Sequence, residues 1–269
     1  MLNTNSIFPF IAKKEKKVII TFTGGMGAQI LSAAIYLAMK DAGKKVYADL
    51  TYFDTPAKLA TEAAIGQVSQ WAWQLSLFGI NPSDFEIFTG KNSKKEDLIV
   101  DGPRKIQLSL RALQDKKIQH HFSMAKFPAD TFGLEGAKYV CAHIRRGDYV
   151  NVASHLMADE EFLSATNKFS SLCDTLVIVS DSRISESLKT HFSTQFKDCI
   201  FLDNIDAYTT HCIMRNASAL ICSNSQFSLV AAALNTTGIV LIPTNWGDSD
   251  DIAKTIGHFG SFQTLNTCT

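Results

Sequence analysis

Apolar positions along this chain fall into two kinds of stretch, short continuous runs and longer segments with helical spacing, and their order gives the fold class. Lys17 to Thr23 (KVIITFT) is a run fit for a buried strand. Gly24-Gly25-Met26-Gly27 makes the tight turn after it. From Ala28 to Ala42 small and apolar residues recur at helical spacing until Gly43 supplies the stop. Lys45 to Leu50 (KVYADL) is a second strand, so the chain opens as a βαβ unit, the building block of a mostly parallel sheet. The alternation resumes later: a strand over 139–144, an amphipathic helix over 158–172, a strand over 175–182 and a helix from about Arg183. Further strands at 199–202, 218–222 and 238–243 are separated by helices at 207–216 and through Leu234.

Periodicity is weaker between Thr51 and Phe122. Residues 56–78 have mostly helical spacing, with Trp71 and Trp73 near the end, read as core aromatics or a sugar-stacking platform. Lys91 to Asp97 is a charged loop, and 103–124 is one or two helices. A stretch rich in Pro, Gly and polar residues at 126–136 is the expected linker. This gives an α/β chain with an N-terminal domain over 1–130, a second over 131–247, and a closing helix or tail over 248–269.

Composition narrows the function. The 269 residues are 46% apolar with zero formal net charge, as in a well-packed globular protein with no electrostatic call for nucleic acid. No apolar run reaches the ~20 residues of a membrane span, and residues 1–17 lack a secretory pattern, so a cytoplasmic location is expected. Lys13, Lys14, Lys16 and Lys17 allow at most a peripheral contact with an anionic surface. The six cysteines show no C-x-x-C pair and read as reduced, buried thiols; the seven histidines lack metal-site spacing, so no metal is expected.

The chemistry concentrates at strand ends. His143-Ile144-Arg145-Arg146-Gly147-Asp148-Tyr149 carries a buried strand into two guanidinium groups, a glycine and a carboxylate. Alternation places His143 and Arg145 on one face and Ile144 and Arg146 on the other, so the arginines have different tasks. A planar guanidinium suits a diphosphate because it offers parallel donors to two oxygens. Alternatively both arginines make ordinary ion pairs. Ser223-Asn224-Ser225-Gln226-Phe227-Ser228 places hydroxyls and first-turn amides at a helix start, a setting that attracts phosphate. Asp181, after the 175–180 run, either caps the next helix or serves a ligand. Gly25-x-Gly27 with Asp49 further on imitates a dinucleotide fingerprint, but Ile30 stands where its third glycine belongs.

Spelled His-x-Arg-Arg-Gly-Asp-Tyr, the central segment resembles the signature of the GDP-fucose-dependent α1,2-fucosyltransferases, and is similar to motifs of the α1,6- and O-fucosyltransferases. The glycine turn resembles that family's Gly-x-Gly-Asn-Gln segment through Gly25, Gly27 and Gln29, with Ala28 in place of the asparagine. Asn224 to Ser228 resembles its Asn-Ser-x-Phe-Ser-Trp-Trp segment, with Leu229 and Val230 in place of the tryptophans. The resemblance implies a GT-B arrangement, two Rossmann-like domains facing a cleft, and metal-free, cofactor-free, inverting transfer of L-fucose from GDP-fucose to a glycan acceptor, above all the 2-OH of a galactoside. It further implies that Arg145 holds the β-phosphate, His143 binds the phosphate or ribose side, and Asp181 and Ser182 read guanine. Ser223, Asn224, Ser225, Gln226, Phe227 and Ser228 would line the phosphate. Arg146 would brace the loop against Asp148, itself the nominee for general base. The rivals are another linkage such as α1,6, a non-catalytic GDP-sugar-binding module, and a dinucleotide oxidoreductase. Acceptor and oligomeric state leave no mark in the sequence.

Overall fold

The computed structural model describes residues 17–54, 72–90, 98–123, 132–151, 155–243 and 262–265. By its internal contacts the chain divides into two units, Met1–Ser123 and Met124–Thr269. Trp71, Trp246, Cys268 and the charged loop at 91–97 lie outside the described residues, as does most of the expected linker.

In the first unit β1 (Val18–Thr21) leads through the glycine turn to α1 (Met26–Asp41) and then β2 (Val46–Asp49), which pairs parallel with β1 from Val18↔Val46 to Thr21↔Asp49. Gly24 makes the turn at a φ of +72°, where a side chain would be strained. β3 (Leu98–Val100) pairs parallel on the other side of β1, giving the order β2-β1-β3. The stretch read as one or two helices is two, α2 (Gly102–Ala112) and α3 (Lys116–His121). Small residues such as Ala33, Ala34 and Ala38 are buried on α1, which lets it lie close to its neighbours.

The second unit holds a six-stranded parallel sheet in the order β6-β5-β4-β7-β8-β9. Its strands are β4 (Tyr139–Ile144), β5 (Thr175–Ser180), β6 (Asp198–Asp203), β7 (Ala219–Ile221), β8 (Ile239–Pro243) and β9 (Phe262–Leu265). Between them run α4 (Asp159–Asn167), α5 (Glu186–Gln195), α6 (Ala207–Asn216) and α7 (Gln226–Leu234). All six residues of β4 are buried, which explains why its run is apolar on both faces up to His143 rather than alternating. Val140, Ala142, Ile144, Leu176, Ile178 and Phe162 join one core cluster. Of the tail read as a closing helix, only Phe262–Leu265 is described; it is a strand that extends the sheet beside β8.

The strand order fixes where a ligand can sit. From β4 the chain moves out to β5 and β6, then returns to the opposite side of β4 to lay down β7, β8 and β9. Loops leaving the carboxyl ends of β4 and β7 therefore diverge and open a crevice between them, the switch point at which open α/β sheets bind ligands. The motif His143 to Asp148 lies at the end of one of these strands, and the serine-rich run at the end of the other.

Candidate functional site

At the end of β4 the structure separates the two arginines as strand alternation requires. Arg146 turns toward α4, where one terminal nitrogen pairs with the Asp159 carboxylate. The other donates to the carbonyls of Met157 (2.9 Å) and Arg145 (3.3 Å), and the guanidinium lies over the Phe162 ring. It braces the loop through Asp159, an acid that the sequence alone does not pair with it. The Asp148 side chain lies outside the described structure.

Arg145 faces the other way. Its Nη1 is 2.7 Å from Asp181 Oδ2, and its guanidinium lies 5.1 Å from the centre of the Tyr149 ring. Asp181 follows β5, whose last residue, Ser180, is in register with Ile144. The other oxygen of Asp181 accepts from the Arg146 amide (2.8 Å), and Ser182 Oγ accepts from the Gly147 amide (3.1 Å). Ser180 Oγ ties the same layer together by donating to the Ile144 carbonyl and accepting from the Ser182 amide. Gly147 has a φ of +23°, and a Cβ there would collide with the Asp181 carboxylate, so the loop requires glycine. Asp181 does not cap the next helix; that helix begins three residues later than expected, with Ser185 as its cap. Both oxygens of Asp181 hold the arginine loop, and the Ser182 hydroxyl accepts from the same loop.

Across β4 lies the serine-rich turn. Ser225 caps α7, its Oγ accepting from the Ser228 amide at 3.1 Å. Ser223, Asn224, Ser225 and Ser228 are all buried, whereas Gln226 and Phe227 are half-buried. The hydroxyls of Ser223, Ser225 and Ser228 thus turn inward. His143 Nδ1 lies 2.5 Å from Ser228 Oγ and 2.9 Å from Ser223 Oγ, which stitches the end of β4 to the start of α7. Burial, aided by the Arg145 charge, lowers the His143 pKa to about 3, so the ring is neutral at ordinary pH. Phe227 packs between His143 and His211, and burial likewise holds His211 well below its usual value. Leu229 and Val230, which replace the family's tryptophans, are fully buried behind the turn.

The first-unit residues tell a different story. Gln29 is fully buried; its amide donates to the carbonyls of Gly24 (2.8 Å) and Ala72 (2.9 Å), and its oxygen accepts from the Gln74 amide (2.8 Å). Gln74 Oε1 in turn accepts from the Met26 amide at the start of α1 (3.2 Å). Gln29 therefore locks the glycine turn onto residues 72–74 and has no donor left for a ligand. Gly27 is buried inside α1, and Gly25 is half-buried beside Gln74. Asp49, the apparent ribose-binding acid, accepts from the amide and hydroxyl of Thr51, which closes a local turn.

Sequence reasoning passed over the roles of Asp159 and Lys105. Asp159 was legible only as a helix-start charge. Lys105 is buried, donates to the Thr21 carbonyl at 3.2 Å, and has its pKa lowered by burial to about 8 with Asp101 opposing; a polar residue on a helical stripe gave no sign of this. Among the described residues no group of three or more His, Cys, Asp or Glu side chains is placed to hold a metal ion, and no helix is long and apolar enough to cross a membrane. Among the described residues five cysteines are free thiols, four of them buried.

No curated protein matches the chain. Among solved structures it is similar to E. coli heptosyltransferase WaaC with ADP, at 10% identity and a TM-score of 0.48 over 93% of this chain and 92% of that one. It is also similar to E. coli ADP-heptose lps heptosyltransferase II (9%, 0.47, 95% and 91%) and to POFUT1 in complex with GDP (10%, 0.43, 95% and 99%). The description of glycosyl transferase family 11 matches residues 111–259, more than half of the chain, and spans both the arginine loop and the serine-rich turn. The chain belongs to glycosyl transferase family 11, the α1,2-fucosyltransferase family whose signature begins at the end of its β4 strand.

Proposed function

We propose that this glycosyltransferase moves L-fucose from GDP-fucose to a hydroxyl of a glycan, the 2-OH of a galactoside being the foremost candidate. One observation carries the reading beyond family membership. His143 lies on β4 and Arg145 just past its end, the serine-rich turn begins α7, and His143 bonds strand to turn across the switch point of the sheet. A diphosphate laid there meets a guanidinium on one side and the first-turn amides of a helix on the other.

In the proposed reaction the acceptor oxygen bonds to the anomeric carbon as its bond to the β-phosphate oxygen breaks, inverting the configuration. Negative charge then grows on the departing diphosphate. Arg145 and the α7 amides stabilise that charge without rearranging, and removing one such donor typically costs ~3 kcal/mol of barrier. Asp181 keeps Arg145 aimed, and Arg146 with Asp159 keeps the loop in place. Asp148 remains the nominee for accepting the acceptor proton, by its nearness in sequence to Arg145. The reading needs no cofactor and no metal, since the leaving-group charge is met by side chains and amides; the second domain holds the donor and the first the acceptor.

The test is a panel of GDP-fucose, GDP-mannose, UDP and NAD in thermal unfolding, followed by transfer assays on galactosides with the product linkage determined. Stabilisation by GDP nucleotides with transfer to a 2-OH is expected. Stabilisation by NAD alone would overturn the reading. Binding of GDP-fucose without turnover would leave a sugar-nucleotide-binding module in its place.

A further inference from the structure

Ser228 belongs to the run expected to line the phosphate, yet it is fully buried and its hydroxyl points at a histidine. Its Oγ lies 2.5 Å from His143 Nδ1, 3.0 Å from Ser223 Oγ and 3.2 Å from Ser225 Oγ, while Ser223 Oγ is 2.9 Å from the same ring nitrogen. Among the described residues every hydrogen bond of the ring falls on Nδ1. The ring is neutral, so it has one proton to place, and the nitrogen that keeps it determines what the other edge shows a ligand.

Two features of the cluster decide the placement. Ser228 is the third residue of α7, and the positive potential of a helix start favours a lone pair over an N–H on the nitrogen that faces it. The neighbours of Nδ1 are also hydroxyls, which can rotate to donate. Ser225 donates to Ser228 Oγ, leaving the proton of Ser228 free to point at the ring. A lone pair on Nδ1 satisfies this chain without any buried donor being stranded.

We propose that Ser228 is a positioning residue whose hydroxyl donates to His143 Nδ1, which places the single ring proton on Nε2 and makes that edge a hydrogen-bond donor to a phosphate oxygen of the nucleotide sugar. The opposite tautomer would present a lone pair to an anion and repel it. The identity of the ligand rests on the function proposed above; the placement of the proton does not.

The experiment is nitrogen NMR of the full chain labelled at histidine, without nucleotide, on the wild type, Ser228→Ala and Ser228→Thr, paired with calorimetric titration of GDP. The wild-type His143 should carry its proton on Nε2, Ser228→Ala should mix the two tautomers, and Ser228→Thr should restore the single one. GDP affinity should fall about tenfold in Ser228→Ala, the worth of one hydrogen bond of this class. In a His143→Gln background, where an amide can occupy the Nε2 position without help, the same change should cost less than about twofold. A wild-type ring protonated on Nδ1, an unchanged tautomer in Ser228→Ala, or an equal loss in both backgrounds overturns the proposal. A wild type that binds no GDP overturns the proposed function instead, while the NMR still decides the tautomer.

Discussion

Replacing Asp181 with asparagine separates two tasks that a carboxylate at this position could perform. Its Oδ2 is 2.7 Å from the Arg145 guanidinium and its Oδ1 accepts from the Arg146 amide at 2.8 Å. Asparagine keeps one acceptor oxygen but loses the charge, which turns a charge-assisted bond worth about 1.5–3 kcal/mol into a neutral one worth about 1. The two side chains are 32% and 22% exposed, so water recovers part of that difference. The expected loss of stability is about 1 kcal/mol, a fall in Tm of about 3 °C for a chain of this size. The effect on ligand is larger, because an unaimed Arg145 forfeits much of its bidentate contact: affinity for GDP should fall about tenfold. The assay is calorimetric titration of wild type and Asp181→Asn with both GDP and IDP, which lacks the 2-amino group of guanine. If Asp181 acts by aiming Arg145, both nucleotides lose affinity by the same factor and their ratio is unchanged. A loss confined to GDP would mean that the carboxylate reads the base, and the reasoning from its engaged oxygens would be wrong.

Other outcomes follow from the same geometry. Gly147→Ala should lower both Tm and GDP affinity, since the added methyl displaces the Asp181 carboxylate from Arg145; the double change Gly147→Ala with Asp181→Gly, which removes the collision, should recover part of the Tm in thermal unfolding. Gln29→Leu should cost about 2–4 kcal/mol in urea unfolding, because the carbonyls of Gly24 and Ala72 and the amide of Gln74 lose buried partners, yet leave GDP affinity unchanged. His143 and His211 are held neutral in the fold, so the unfolded chain takes up protons below about pH 6.5 that the folded chain refuses. Stability is therefore full above that pH and falls as pH drops, for His143 down toward about 3, by about 1.4 kcal/mol per pH unit for each histidine. Urea midpoints at pH 7 and pH 5 should show a smaller drop in His211→Gln than in the wild type.

The α/β class and the strands flanking the site were legible because each buried strand is a continuous apolar run ending in polar residues, as 139–144 and 175–180 show. β3 escaped notice since three apolar residues after a charged loop carry no period. Direction, more than identity, was hidden at the site. Sequence names Gln29, Asp181 and Ser228 as polar residues at strand and helix ends, where they could face a ligand or the protein. The bonds of Gln29 and Ser228 turn both into the protein, and those of Asp181 tie it to the arginine loop; contacts made across the fold decide this, not sequence position. The bracing role of Arg146 was readable from alternation, but its partner Asp159 was not, because the intervening chain carries α4 back beneath the loop.

The central claim is that a diphosphate is gripped between Arg145 and the start of α7. It is tested most directly by calorimetric titration of GDP into the wild type and Arg145→Ala, at equal salt and with both folded by thermal unfolding. The account predicts binding in the wild type and a loss of about 30-fold or more in the variant, the worth of a charge-assisted pair. Equal affinity in the two proteins would contradict it.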